Sequence, residues 1–175
     1  MKISTLILLL LTSVCKLFSQ NIIFIGDNSY PATQTWFFEG NGSQFQYYAK
    51  DASIQVGRKG TTGVLLISTL CYSAASGIKG SINIYLSNGD RVTLSTVIAK
   101  DFVDSYSNVI YNLSSENITK LMQNDIQVIR FNTASGGSLE GHTIDNKYDS
   151  NPDPIVNKQE KWNTAADIKE LFEKN

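Results

Sequence analysis

From Asn21 to about Thr133 the chain is dense in β-branched and aromatic residues, and turn residues interrupt it about every ten positions. Short runs at that spacing favour an antiparallel sandwich over α/β units, whose parallel strands need long helical crossovers. The expected fold class is all-β, mainly an antiparallel β-sandwich, with one short inserted helix and a C-terminal helix. The runs that read as strands are Ile22–Ile25, Thr35–Glu39, Gln44–Ala49, Ser53–Val56, Val64–Cys71, Ser81–Leu86, Arg91–Ile98, Val109–Leu113 and Ile126–Phe131. Asn88-Gly89 separates two of them, with Ile82, Ile84 and Leu86 sharing one face before it and Val92 and Leu94 one face after it. An Asn-Gly pair readily adopts the positive φ angles of a type I′ turn, so a tight hairpin is expected there.

After Val109–Leu113, Ser114 is placed to cap a helix whose Ile118, Leu121 and Met122 form an apolar stripe, and Asn124-Asp125 ends it. Barely two turns long, this helix reads as a lid over one end of the sandwich. From Ala134 onward the composition shifts to Gly, Asn, Asp, Lys and Pro. The expected division is a signal peptide at 1–20, a β-sandwich domain at 21–133, a polar linker at 134–162 and an amphipathic helix at 163–175. In that last helix Thr164 and Asp167 stand at the spacing of an acidic capping box, and Ile168, Leu171 and Phe172 line one face with Ala165. A helix this short is marginal alone in water, so its apolar face needs a cover. The cover is either the chain's own sheet or a partner groove in which Ile168, Leu171 and Phe172 would dock. On this reading, deleting residues 145–175 leaves the β-domain folded.

The N-terminus reads as an export signal. Lys2 supplies a positive start, Ile3 to Leu11 is apolar except for Ser4 and Thr5, and a more polar stretch ends at Ser19-Gln20. Even counted to Cys15, the apolar run falls short of the roughly 20 residues that span a bilayer. Cleavage is expected after Gln20, giving a secreted or periplasmic protein with no transmembrane span. The alternative is a lipid anchor on Cys15, although Val14 stands where a lipobox wants a small residue. Removal of Lys2 and Lys16 leaves thirteen basic against sixteen acidic residues, a net charge of −3. With no basic run, nucleic acid and anionic membranes are not expected partners. One cysteine, Cys71, remains, and its apolar neighbours predict a buried side chain rather than a disulfide.

The Ser-Gln exit, the start Ser29-Tyr30-Pro31-Ala32-Thr33 and the passage Tyr111 to Ile129-Arg130-Phe131 resemble small exported β-proteins of Bacteroidota. That resemblance implies a bacterial envelope or extracellular location and brings no catalytic residue with it.

The search for chemistry yields little. The single histidine, His142, lies in a polar, Gly-containing stretch and reads as a surface residue. No nucleophile elbow, zinc helix, P-loop or dinucleotide fingerprint is present, and no cofactor is expected. Asp101 and Asp104 are close enough in sequence for a carboxylate-only enzyme site, the least favoured function. Counting Asp149 as position 1 places Asn151, Asp153 and Glu160 at EF-hand oxygen positions, but Pro154 occupies the position that needs Gly, so no metal site is expected. Aromatics crowd the first third of the chain. Trp36, Phe37, Tyr47 and Tyr48 are the candidates for a ligand-binding surface if they escape the core. The resulting expectation is a non-catalytic binding or assembly module whose partner is a protein or a glycan. A carbohydrate-binding or adhesive role through exposed aromatics is the alternative.

Overall fold

The computed structural model describes residues 21–40, 48–135, 137–149 and 159–173. In chain order the strands are β1 (Asn21–Ile25), β2 (Asn28–Ala32), β3 (Trp36–Gly40), β4 (Ala52–Lys59), β5 (Thr62–Leu70), β6 (Ile78–Leu86), β7 (Arg91–Leu94), β8 (Val97–Val103) and β9 (Tyr106–Leu113). Helix α1 (Ser115–Gln123) follows. Then come β10 (Ile126–Ser135), β11 (Ser138–Asp145), the short β12 (Tyr148–Asp149) and β13 (Gln159–Glu160), and finally α2 (Thr164–Glu173). The fold is all-β and antiparallel with two helices.

The strands join in the order β7-β6-β10-β11-β3-β4-β5-β9-β8, with the β1–β2 hairpin attached to β4. This sheet is folded back on itself as a sandwich. Strand β3 turns the corner: Trp36 to Phe38 pair with β4, whereas Glu39 and Gly40 pair with β11. At the opposite end β7 and β8 are the two edge strands, yet only Ser95-Thr96 separates them in sequence. The strand expected over Arg91–Ile98 is therefore two strands, one in each layer. We call β3-β4-β5-β9-β8 the front layer and β7-β6-β10-β11 the rear layer.

The core follows from strand alternation, which sends every second side chain inward. Ile54, Val56, Leu65, Ile67, Val109 and Tyr111 of the front layer meet Ile82, Ile84, Val92, Leu94, Ile129 and Phe131 of the rear. Tyr111 ties the layers together: its phenol donates to the Gly80 carbonyl at 2.8 Å, and burial pushes its pKa up to about 12. Cys71 is buried as expected. A second, smaller apolar cluster lies outside the front layer, where Ile23 and Ala32 of the β1–β2 hairpin cover Val64 and Ile110. Gly57 allows that approach, because a Cβ there would stand 2.9 Å from Val64 and 3.2 Å from Ile23.

The turn type expected at Asn88-Gly89 is corrected. The Asn88-Gly89 hairpin forms, but only Gly89 has positive φ (90°). Gly89 N–H donates to the Leu86 carbonyl at 3.0 Å and Leu86 N–H to the Asp90 carbonyl at 2.9 Å. That is a three-residue loop built on an ordinary turn followed by a left-handed glycine. The type I′ pattern falls instead between β8 and β9, where Asp104 and Ser105 both have positive φ (50° and 68°).

Helix α1 is as expected, with the Ser114 hydroxyl accepting from Asn117 N–H at 3.2 Å and Ile118 and Leu121 buried. Helix α2 exists, but its ends are used differently. Asn163, not Thr164, caps it, its Oδ1 accepting from Ala166 N–H at 3.2 Å. Thr164 Oγ1 accepts from Ile126 N–H at 2.8 Å, and the Asp167 carboxylate accepts from Trp36 Nε1 at 2.8 Å. These two residues fasten the helix to the body. Ile168 is fully buried, and Phe172 packs half-buried against the core. Ile168 is thus covered by the chain itself, while Leu171 and Phe172 remain half-exposed.

The polar linker expected over 134–162 is also corrected. β11 pairs with β10 along its length, and its end pairs with β3. Beyond it Asn146 is buried, its amide donating to the carbonyls of Ile126 (2.7 Å) and Trp162 (2.9 Å) and accepting from Trp162 N–H (2.8 Å). Tyr148 stacks on Trp162 with ring centres 4.2 Å apart. The signal segment, residues 44–47 of the strand expected over Gln44–Ala49, and residues 150–158 lie outside the described residues.

Candidate binding surface

Register partners in a sheet share a face, so the pairings alone map the outer surface of the front layer. One row reads Phe37, Ser53, Ser68, Asn108, Asp101 across β3, β4, β5, β9 and β8. Its middle is short and polar, and Ser53, Ser68 and Asn108 are half-buried. Among the described residues no hydrogen bond engages these three side chains. They form a floor. At one end stands Phe37, which is 59% exposed although it belongs to a strand whose other faces supply core.

The adjacent row is Leu70, Tyr106, Val103, and Tyr72 continues past Leu70. Tyr106, Val103 and Tyr72 are exposed, Tyr72 at 77%. Tyr72 meets Tyr48 edge to face, with centroids 5.8 Å apart. Ala49 sits in the left-handed region (φ 53°) and its N–H donates to the Leu70 carbonyl at 2.7 Å, which fixes the chain beside Tyr48. On the other side of the floor rise Leu66, Ile110 and the β1–β2 hairpin that covers them. The result is a polar floor between an aromatic rim and a hairpin wall.

The candidate ligand residues separate cleanly. Phe37 and Tyr48 lie on this surface, and Tyr47 lies outside the described residues. Trp36 does not belong: it is fully buried, because alternation in β3 sends Trp36 and Phe38 inward and Phe37 outward. Tyr72 and Tyr106 were missed. Their signal was available, since each borders a strand end and a turn, but only the pairing of β5 with β9 brings them together.

Other candidates are dispersed. Asp101 ends the floor row, its carboxylate accepting from Phe102 N–H at 2.7 Å, whereas Asp104 occupies the turn; both are exposed. Asp149 and Glu160 stand on β12 and β13, a strand pair where an EF-hand has helices, and Glu160 accepts from the Tyr148 hydroxyl at 3.1 Å. Asn151 and Asp153 lie outside the described residues. His142 is not a surface residue. It is buried, shares a 2.7 Å hydrogen bond with Thr133 and stacks on Phe131, and burial holds its pKa below the ordinary value. Among the described residues no helix is long and apolar enough to cross a membrane. Comparisons with protein families, with curated proteins and with solved structures give no match.

Proposed function

We propose that this chain is an exported, non-catalytic binding module that takes its ligand on the outer face of the front layer. The observation that carries the reading is the gathering of Phe37, Tyr48, Tyr72 and Tyr106 around a half-buried polar floor of Ser53, Ser68 and Asn108. Exposed aromatics raised above polar ground on one face of a rigid sheet are what recognition surfaces use. The export signal supports a place of action in the envelope or outside the cell. Tyrosine nitration tests the reading without knowledge of the ligand. Incubation with an extracellular or envelope fraction should protect Tyr72 and Tyr106 from tetranitromethane and leave Tyr85, on the rear layer, unchanged. Equal nitration of all three with and without the fraction would count against the module.

A further inference from the structure

We infer that the ligand of this face is an uncharged glycan strand lying across the front layer, a conclusion that rests on the binding-module reading above. Size is the first argument. Five paired strands carry the row from Phe37 to Asp101, so it extends over about four strand spacings, roughly 19 Å. That is a track for a polymer of several units, not a seat for one small molecule.

Polarity is the second argument. A protein–protein interface places apolar side chains at its centre and polar ones around the rim. Here the order is inverted: serine hydroxyls and an asparagine amide form the centre, and Tyr48, Tyr72, Tyr106 and Phe37 form the border. A sugar chain matches that inversion. The C–H faces of its rings stack on aromatic rings, while its hydroxyls, each both donor and acceptor, meet groups of the same dual kind.

Charge is the third argument. Asp101 is the row's only charged side chain, and Lys100 beside it belongs to the opposite face because it pairs with Val109. An anionic polymer would meet Asp101 with no cation in the floor to offset it. The expected ligand is therefore neutral.

Affinity electrophoresis of the purified exported protein tests this, with cellulose derivatives, xylan, mannan and mixed-linkage glucan as neutral probes and polygalacturonate and heparin as anionic ones. At least one neutral polysaccharide should retard the protein, and added salt should not relieve the retardation. The double variant Tyr72→Ala, Tyr106→Ala should bind about tenfold more weakly or worse. Phe24→Ala, which removes an exposed aromatic from the hairpin's outer side, should bind as the parent does. Retardation by the anionic probes alone, or retardation that the double variant retains, would overturn the inference. The nitration assay separates this failure from that of the module. Protection of Tyr72 and Tyr106 that survives periodate treatment of the fraction but not proteinase treatment would mean a protein ligand, ending the glycan inference and leaving the module. Absence of protection would end both.

Discussion

Asn146 concentrates into one side chain much of what holds the C-terminal segment to the sheet. Its amide makes three hydrogen bonds, a buried one to the Ile126 carbonyl and two partly buried ones to the backbone of Trp162. Asn146→Ala should lower the unfolding free energy by about 2–3 kcal/mol, because three hydrogen bonds are lost and the Ile126 carbonyl stays buried without this partner. Asn146→Asp should be no better, since it replaces a donor with an acceptor facing two carbonyls. Urea denaturation of the three proteins measures both effects. His142 makes a pH-dependent contribution. Its pKa is lowered in the folded chain by burial, against a smaller opposing influence from Glu140. The unfolded chain therefore binds the proton first as pH falls. Stability from this group is fully present above the ordinary histidine value of about 6.5 and is lost as pH drops from there through the folded value. His142→Gln should flatten that part of a melting-temperature profile taken from about pH 7 to pH 5; an unchanged slope would assign the titration elsewhere. Neither residue was legible as structural. Both sit among Gly, Asp, Thr and Lys, and their partners Phe131 and Trp162 are distant in sequence and meet them only in the fold.

Among the elements, those whose residues satisfy their own neighbours were legible. Helix α1 carries its cap, stripe and stop within the run Ser114 to Asp125, and the hairpin at Asn88-Gly89 joins two runs of matching faces. The turn geometry was not legible, because Asn88 is free to adopt ordinary φ while Asp104-Ser105 is forced left-handed by the register of β8 on β9. Strand β11 escaped notice because Ser138-Leu139-Glu140-Gly141 has little intrinsic preference for a strand and takes its form from pairing with β10. Helix α2 was recognised, but sequence alone left its cover open. Gly63 shows how closely it is seated: a Cβ there would lie 2.9 Å from Ile118 of α1 and 3.2 Å from Phe172 of α2. The truncation therefore now carries the opposite expectation. Removing residues 145–175 takes away Ile168, Trp162 and Thr164 together, uncovers the core and strands the Trp36 indole N–H, so the cooperative thermal transition should disappear. A sharp calorimetric transition in the truncated chain would show that α2 is dispensable. The milder Ile168→Ala should cost about 2–5 kcal/mol and keep the transition.

At the scale of the whole molecule, the sheet separates what stabilises from what is displayed. Inward positions on both layers are mainly apolar, with Thr69, Ser107, Thr133 and His142 as buried polar members, and the C-terminal helix closes one side of that core. Outward positions differ between layers. The rear carries Arg91, Tyr85 and Arg130, whose guanidinium lies 5.0 Å from the Tyr85 ring centre, whereas the front carries the polar floor and its aromatic rim. Binary alternation announced a two-sided sheet, but which aromatics faced outward depended on the pairing of strands far apart in sequence, so of the four rim aromatics only Phe37 and Tyr48 were among the candidates Trp36, Phe37, Tyr47 and Tyr48. This division makes stability and recognition separable. Tyr72 and Tyr106 are exposed, and what they add to stability is limited to cross-strand contact with Tyr48, Leu70 and Val103, about 0.2–1 kcal/mol each. Trp36 is buried and hydrogen-bonded to Asp167, so Trp36→Ala should cost about 3–5 kcal/mol. The double variant Tyr72→Ala, Tyr106→Ala should then unfold in urea at nearly the parent's midpoint, with the parent's slope, while Trp36→Ala should shift the midpoint strongly downward. A double variant as unstable as Trp36→Ala would mean that the rim tyrosines belong to the core's cooperative unit, and a surface committed to folding in that way could not serve as a free recognition face.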